Sequence, residues 1–400
     1  MKSLLLAFTL CFSLLTQAQF TPEITSWVVN TNNTVGYNNI LTNVLSVDYT
    51  NNNVFVSCTC IPGYDIGPWA GNPNTPENQD FCFKITRSPE ENTGTKINTP
   101  MGHTGVWRNG VSIFNAKDGF SYNDLDIWHQ DALVWEGSSF DDCLGHPAGN
   151  GEYHHHINPT CLYDDTDDQN HSPIIGYAFD GFPIYGAFAY SNSNGTGDIN
   201  RMESSYQLRA ISVRETLSDG TTLDPSEYGP TVNNQYPIGS FLEDYEYVLG
   251  SGDLDEHNGR FCITPDYPNG TYAYFVTIDI YRDPVYPYTL GVTYYGTVQN
   301  GNTGGPQSGH NTIPENATNY DATTSVKTLT ETTLSMYPNP TEETLFIREL
   351  KENQLTILNM LGETIFKDYG SQWRLDVHSW NNGVYLVRFG KHTERLVISR

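Results

Sequence analysis

The chain has 400 residues, with 20 Lys and Arg against 46 Asp and Glu, a net charge of −26. At about 150 residues per domain this length makes two or three folding units and excludes one small domain, while a field this negative repels phosphate backbones and excludes nucleic acid as a partner. Charged residues are only 16% of the chain, against about 25% in ordinary soluble domains, and Asn, Thr, Ser, Gly and Tyr fill the gap, which is turn-rich β composition and excludes a charged helical rod.

The first element is the apolar run 4–15 behind Lys2. It is the one stretch apolar enough to meet a membrane and too short to span it, so no transmembrane segment is expected. A basic start, an apolar middle and Ala18 before Gln19 predict a signal peptide over residues 1–18 and an exported mature chain. Export removes Cys11 and leaves Cys58, Cys60, Cys82, Cys143, Cys161 and Cys262, an even set that allows up to three disulfides in an oxidising compartment. Cys143 with Cys161 is the first candidate pair, because the Gly- and Pro-bearing segment between them can bring its ends together. Cys58 and Cys60, two apart on a predicted strand and about 6.7 Å from each other, would not pair together. A thiolate metal site lacks the Cys-x-x-Cys spacing it would need.

Residues 20–298 are expected to form one large, mainly β, disulfide-containing domain. Segments such as Tyr272-Ala273-Tyr274-Phe275-Val276-Thr277-Ile278 follow a turn signal at Pro268-Asn269-Gly270, and no window shows a helical period. Trp69, Trp107, Trp128 and Trp135 on such a scaffold have two readings, core packing or stacking on the sugar rings of a polysaccharide. The chain carries no Gly-x-Ser-x-Gly elbow, no His-Glu-x-x-His and no dinucleotide fingerprint, which removes nucleotide cofactors and the commonest hydrolases.

Any chemistry centres on Cys143-Leu144-Gly145-His146-Pro147 and Gly151-Glu152-Tyr153-His154-His155-His156-Ile157-Asn158-Pro159-Thr160-Cys161. Side chains alternate along a strand, so His154 and His156 project together and Tyr153 and His155 project the other way. Two imidazoles at that separation can reach one Zn or Cu ion, leaving further positions for His171, His146, His103 or Asp180. Asp180 before Gly181 would equally serve a plain turn. His129 is a weaker candidate, and His257, His310, His378 and His392 are expected at the surface. With an open position a zinc ion would generate hydroxide for hydrolysis, with Glu152 or Asp180 moving the proton; copper would carry electrons. The acidic loop Asp164-Asp165-Thr166-Asp167-Asp168, and Asp253 with Asp255, are candidate Ca²⁺ ligands against the alternative of solvated turns; the second segment lacks the glycine and the terminal acid of a calcium loop.

These residues also carry a resemblance. The run from Gly151 to Leu162, then His171-Ser172-Pro173-Ile174-Ile175-Gly176-Tyr177-Ala178-Phe179-Asp180-Gly181-Phe182-Pro183-Ile184-Tyr185-Gly186, resembles the YHYH domain of secreted proteins. Pro62-Gly63-Tyr64-Asp65-Ile66-Gly67-Pro68-Trp69, Asn109-Gly110-Val111, Leu254-Asp255-Glu256-His257-Asn258-Gly259-Arg260 and Thr264-Pro265-Asp266-Tyr267-Pro268 extend it over about residues 60–296. His155 stands where the family has its second Tyr, which removes any role of that phenol. The resemblance implies a domain type and no substrate.

Residues 299–335 hold Gly, Asn, Thr and Ser with few large apolar groups and read as a flexible linker. From Met336 to Arg400 eight basic residues balance eight acidic ones, so the whole negative charge lies upstream. Short strands at TLFIREL, QLTILNML, ETIFKDY, GVYLVRF and RLVISR, with an Asn382-Gly383 turn, predict a small β-sandwich over 336–400. Tyr337-Pro338-Asn339-Pro340, the LTILNMLGETI stretch and Gly383-Val384-Tyr385-Leu386-Val387 resemble the C-terminal sorting domain of type IX secretion cargo. That resemblance implies the type IX machinery as a partner and delivery to the medium or the outer-membrane surface. The expectation is thus an exported protein holding Zn or Cu through a His-x-His pair, with an enzymatic role open. The alternative is a carbohydrate-binding or adhesive module, or a structural surface component, whose histidines are architectural.

Overall fold

The computed structural model describes residues 20–304, 307–323, 335–337, 341, 343–360, 362–389 and 392–399; the expected signal peptide lies outside them. Contacts divide the chain into two units, Met1–Thr323 and Thr324–Arg400. The fold is mainly β, as expected, with only two short α-helices, Pro22–Thr25 and Ala132–Glu136, among the described residues.

The large unit is organised by an eight-stranded sheet. Its order runs Gly259–Cys262, Thr271–Phe275, Pro183–Tyr185, Ile174–Ala178, His103–Trp107, Ser112–Phe114, Tyr153–His155 and His146–Pro147. Two neighbouring pairs are parallel, Pro183–Tyr185 with Thr271–Phe275 and Ser112–Phe114 with Tyr153–His155. The central strands are buried on both faces, which explains their nearly continuous apolar runs. On one face Val106, Ile174, Tyr177, Tyr185 and Phe275 pack with Val44, Val47, Val54, Val56, Phe83 and Ile85. Those partners belong to a second, antiparallel sheet of Thr318–Asn319, Val44–Tyr49, Asn53–Cys58 and Phe81–Thr86. On the other face Trp107, Ile113, Tyr153, Ile175, Ile184, Tyr272 and Tyr274 form a separate cluster. Trp107 and Trp128 are buried in packing, the first of the two readings given for the tryptophans.

One disulfide forms among the described residues, Cys143 with Cys161, as expected. The upper limit of three is not reached among the described residues, because Cys58, Cys60, Cys82 and Cys262 are free thiols. Register gives one reason. Cys58 faces Phe81 across the strand pair while Cys82 faces Ser57, so the two side chains point to opposite faces.

The expected linker is also corrected in its first part. Residues 307–323 belong to the large unit: Thr318–Asn319 pairs with Val44–Tyr49, and Tyr320 is buried in the core. Polar side chains supply what apolar ones do not. Asn302 accepts from the Lys84 amide (2.9 Å) and donates to the Lys84 carbonyl (2.6 Å), while Asn311 donates to the Cys82 carbonyl (2.9 Å). These amides pair the exposed edge of Phe81–Thr86 as a strand would. Residues 324–334 of the expected linker lie outside the described residues.

The C-terminal unit is strand-rich. Thr344–Asn359 pairs with Ser335–Tyr337, Thr364–Asp376 and Gly383–Phe389, which in turn pairs with His392–Ile398. The two expected strands TLFIREL and QLTILNML are one long strand whose register breaks between Arg348 and Asn353. Alternate residues on either side of the break, Leu345 and Ile347 then Leu355 and Ile357, enter one core with Trp373, Leu375, Val387, Leu396 and Ile398.

Candidate metal centre

A two-stranded ribbon at the edge of the large sheet builds the site. His146–Pro147 runs antiparallel to Tyr153–His155 with His146 opposite His154, and His156 follows two residues after His154. Cross-strand register and the period of two therefore place three imidazoles on one face. One nitrogen from each lies within 4.8 Å of the others, and all three residues are buried.

The protein holds the outer edge of each ring. His154 Nδ1 contacts the Glu152 carbonyl at 3.0 Å, His156 Nδ1 contacts the Asn115 carbonyl at 2.6 Å, and His146 Nδ1 contacts Ser139 Oγ at 2.8 Å. A carbonyl only accepts, so His154 and His156 each carry a proton on Nδ1 and turn Nε2 toward the centre of the cluster. Those two Nε2 atoms are 3.1 Å apart. Two lone pairs at this distance repel unless a proton or a metal ion sits between them. Phe114 stacks on His154 at 3.8 Å, and Phe140 meets His146 edge-on at 4.7 Å, so the rings are walled by hydrocarbon. Burial, then the neighbouring His156, pushes His146 down to about 4, and burial with His156 and His146 holds His154 well below the usual imidazole range. Neutral imidazole is the form that binds metal.

A fourth group escaped sequence reasoning. Glu136 Oε2 lies 3.3 Å from His156 Nε2 and 3.8 Å from His146 Nε2. It ends the helix Ala132–Glu136, whose first turn is capped by the buried Asp131 carboxylate accepting from the Leu133 and Val134 amides. Burial would raise the Glu136 carboxyl, but the His156 and His146 imidazoles outweigh it and hold the group below its ordinary value. Asp118 nearby is raised to about 6 by burial and by Glu136. No spacing in the sequence links Glu136 to the histidine run; only the Asp131 cap hinted at the helix that delivers it.

The ribbon is fixed from behind. Asp141 accepts from Tyr153 Oη (2.9 Å), Trp69 Nε1 (3.1 Å) and the amides of Gly67, Cys143 and Gly145. With the Cys143–Cys161 disulfide this ties down the loop that ends in His146. His155 is fully buried on the opposite face between Tyr153 and Trp107, and burial pushes it down to about 4.

The other candidates lie outside the cluster. His171 Nδ1 contacts the Ser172 carbonyl (2.7 Å) and its ring packs against Tyr185 and Tyr190. Asp180 is buried and accepts from Tyr274 Oη (2.5 Å) and the amides of Gly296 and Phe182, the work of a core anchor. His103 pairs through Nδ1 with Glu152 (2.9 Å) among Phe81, Phe83 and Phe179. His129 bridges Glu243 and Asp126. His257, expected at the surface, is buried against Thr293, whereas His310 and His378 are exposed; the His392 side chain lies outside the described residues. Asp164 and Asp165 accept from Thr166 and Asn158, Asp167 from Asn170, and the Asp168 carboxylate from Gln169. Asp253 accepts from the Glu203 amide and Asp255 from Tyr272 and two amides.

A family model described as YHYH protein matches residues 82–286, more than half of the chain. The chain belongs to the YHYH protein family. The matched span contains His146, His154, His156 and Glu136. A second model, for a secretion system C-terminal sorting domain, matches residues 335–399, so this YHYH protein is handled by the type IX secretion system and exported to the medium or the outer-membrane surface. No curated protein and no solved structure matches the chain. No helix among the described residues is long and apolar enough to cross a membrane.

Proposed function

We propose that this secreted surface protein binds a divalent transition metal ion, zinc or copper, through His146, His154 and His156. One observation carries the reading. Three buried imidazoles converge with the Nδ1 atoms of His154 and His156 committed to backbone carbonyls and their Nε2 atoms 3.1 Å apart, an arrangement costly to keep without a positive charge at its centre. Imidazole donors suit zinc and copper, and three of them match zinc sites that retain a position for water or substrate. The test is elemental analysis of the exported protein after loading with zinc or copper and removal of excess ion, beside the His154→Ala, His156→Ala double variant. One ion per chain in the wild type and none in the variant is expected. A metal-free wild type sinks the reading.

A second reading has its own observation. A cleft of about 330 Å³ is lined by Gln79, Asn150, Glu152, Thr303, Ser308 and His310 beside Phe81 and Met101, so amide, hydroxyl, carboxylate and imidazole groups of the kind that hydrogen-bond sugar hydroxyls stand next to apolar surface. Retention on a glycan affinity gel, lost in Asn150→Ala, would favour a saccharide ligand there.

A further inference from the structure

We propose that Glu136 is the fourth ligand of this centre and the one that exchanges. The proposal rests on the metal reading above and adds the position through which outside atoms reach the ion. An ion held tetrahedrally at about 2.0–2.1 Å keeps its ligand atoms about 3.3 Å apart. The structure shows 3.1 Å between His154 and His156, 3.3 Å between His156 and Glu136, and 3.8 Å between His146 and Glu136. Three of the six edges thus lie within about half an ångström of the tetrahedral value; the three imidazole nitrogens all lie within 4.8 Å of one another while the Glu136 oxygen stands outside that group, so a shift of the carboxylate toward His154 completes the fourth corner.

The four corners differ in how they are held. Each imidazole is buried and tied through Nδ1 to a fixed oxygen of the protein. The Glu136 side chain is 31% exposed, ends a five-residue helix, and among the described residues its polar partners are the His156 and His146 nitrogens. It is the corner that faces solvent. Bound Glu136 gives a closed four-ligand site of the structural type; released, it leaves a three-histidine site with an open position. A water molecule or a small anion enters where the carboxylate leaves, and no bond within the protein has to break for it to do so.

The experiment uses the exported protein with Co²⁺ as a visible probe and azide as the entering anion. Glu136→Ala should weaken Co²⁺ binding at least about tenfold, since loss of even an indirect partner of a metal ligand costs about 10–100-fold. Its cobalt bands should respond to azide at a concentration at least tenfold lower than the wild type needs, with Glu136→Gln, which keeps the shape and loses the charge, in between. Equal cobalt affinity and equal azide response in wild type and both variants overturns the proposal while leaving the three-histidine centre standing. A wild type that binds no cobalt overturns the centre and this proposal together. Thermal unfolding of each metal-free variant separates loss of a ligand from loss of fold, and Glu136→Gln carries the test if Glu136→Ala does not fold.

Discussion

Replacing Gly145 by alanine tests whether the ribbon that carries His146 is held by the contact between its loop and Tyr153. A Cβ on residue 145 would lie 2.4 Å from Tyr153 Oη, 2.5 Å from its Cζ and 2.9 Å from His155 Nε2. Ordinary contact requires at least about 3.4 Å, so the phenol must retreat by about 1 Å into a close-packed cluster with Trp107 and Ile113. Overpacking of this kind costs about 1–3 kcal/mol. The retreat also strains the Tyr153 bond to Asp141, a charged acceptor whose hydrogen bond is worth about 1.5–3 kcal/mol. Partial relief by the loop leaves an expected loss of about 2–4 kcal/mol. Urea unfolding of the metal-free protein measures it, with Gly149→Ala as the control, because residue 149 is exposed and its Cβ would meet nothing within 4 Å. The control should stay within about 0.5 kcal/mol of the wild type. If Gly145→Ala matches it, the loop is not pinned as described. Metal affinity should fall in Gly145→Ala alone, since His146 is the next residue along the chain.

Three further outcomes follow from other parts of the large unit. His155 and His146 are both pushed down to about 4 from an ordinary value near 6.5; a depressed imidazole keeps its full stability above about 6.5 and loses it as pH falls toward 4, on the order of 3 kcal/mol each. Denaturant unfolding at pH 7 and 4.5 should show His155→Phe losing about 2–3 kcal/mol less than the wild type across that interval, and equal losses would contradict the burial of a neutral ring. Replacing Cys143 and Cys161 by serine opens a loop of sequence separation 18 that contains all three clustered histidines, so unfolding should show a cost of about 3 kcal/mol and calorimetric titration a weaker metal site; unchanged affinity would show that the bridge does not position the ribbon. Asn302→Ala strips the Lys84 amide and carbonyl of their partners and should destabilise the large unit by about 1–3 kcal/mol, whereas a true linker residue would cost nothing measurable by the same assay.

What the sequence made legible and what it hid divide along a physical line. His154 lies on the strand Tyr153–His155 and His156 is the next residue after it, so the period of two carried past the strand end was enough to place their rings together. His146 was a candidate by proximity, but its place opposite His154 comes from a strand register that no local pattern specifies. His171 was a leading candidate and Asp180 a further one, yet the His171 Nδ1 is committed to the Ser172 carbonyl and Asp180 to Tyr274 Oη and two amides, both away from the ribbon. Residues 299–323 misled for a related reason. Composition measures the apolar surface a segment can bury, and this segment is held largely by Asn side chains paired to a strand edge, which composition does not record.

Glu136 shows why the fourth corner stayed hidden. Ligands on one ribbon have a sequence address, because period and register relate them to each other. A ligand from a separate helix has none until Asp131 caps that helix, Tyr288 Oη and the helix amides fix the Asp131 carboxylate, and the fold sets the helix end beside the ribbon. The same separation gives the site its asymmetry. Three imidazoles move only if the sheet moves, whereas the carboxylate is a 31% exposed side chain at the end of a five-residue helix that is held by the Asp131 cap and by the Trp135 indole donating to the Ser240 carbonyl (2.8 Å), neither of which fixes the Glu136 side chain itself. A centre built this way can hold an ion rigidly and still open one face to solvent, and that combination follows from where the four ligands stand in the chain.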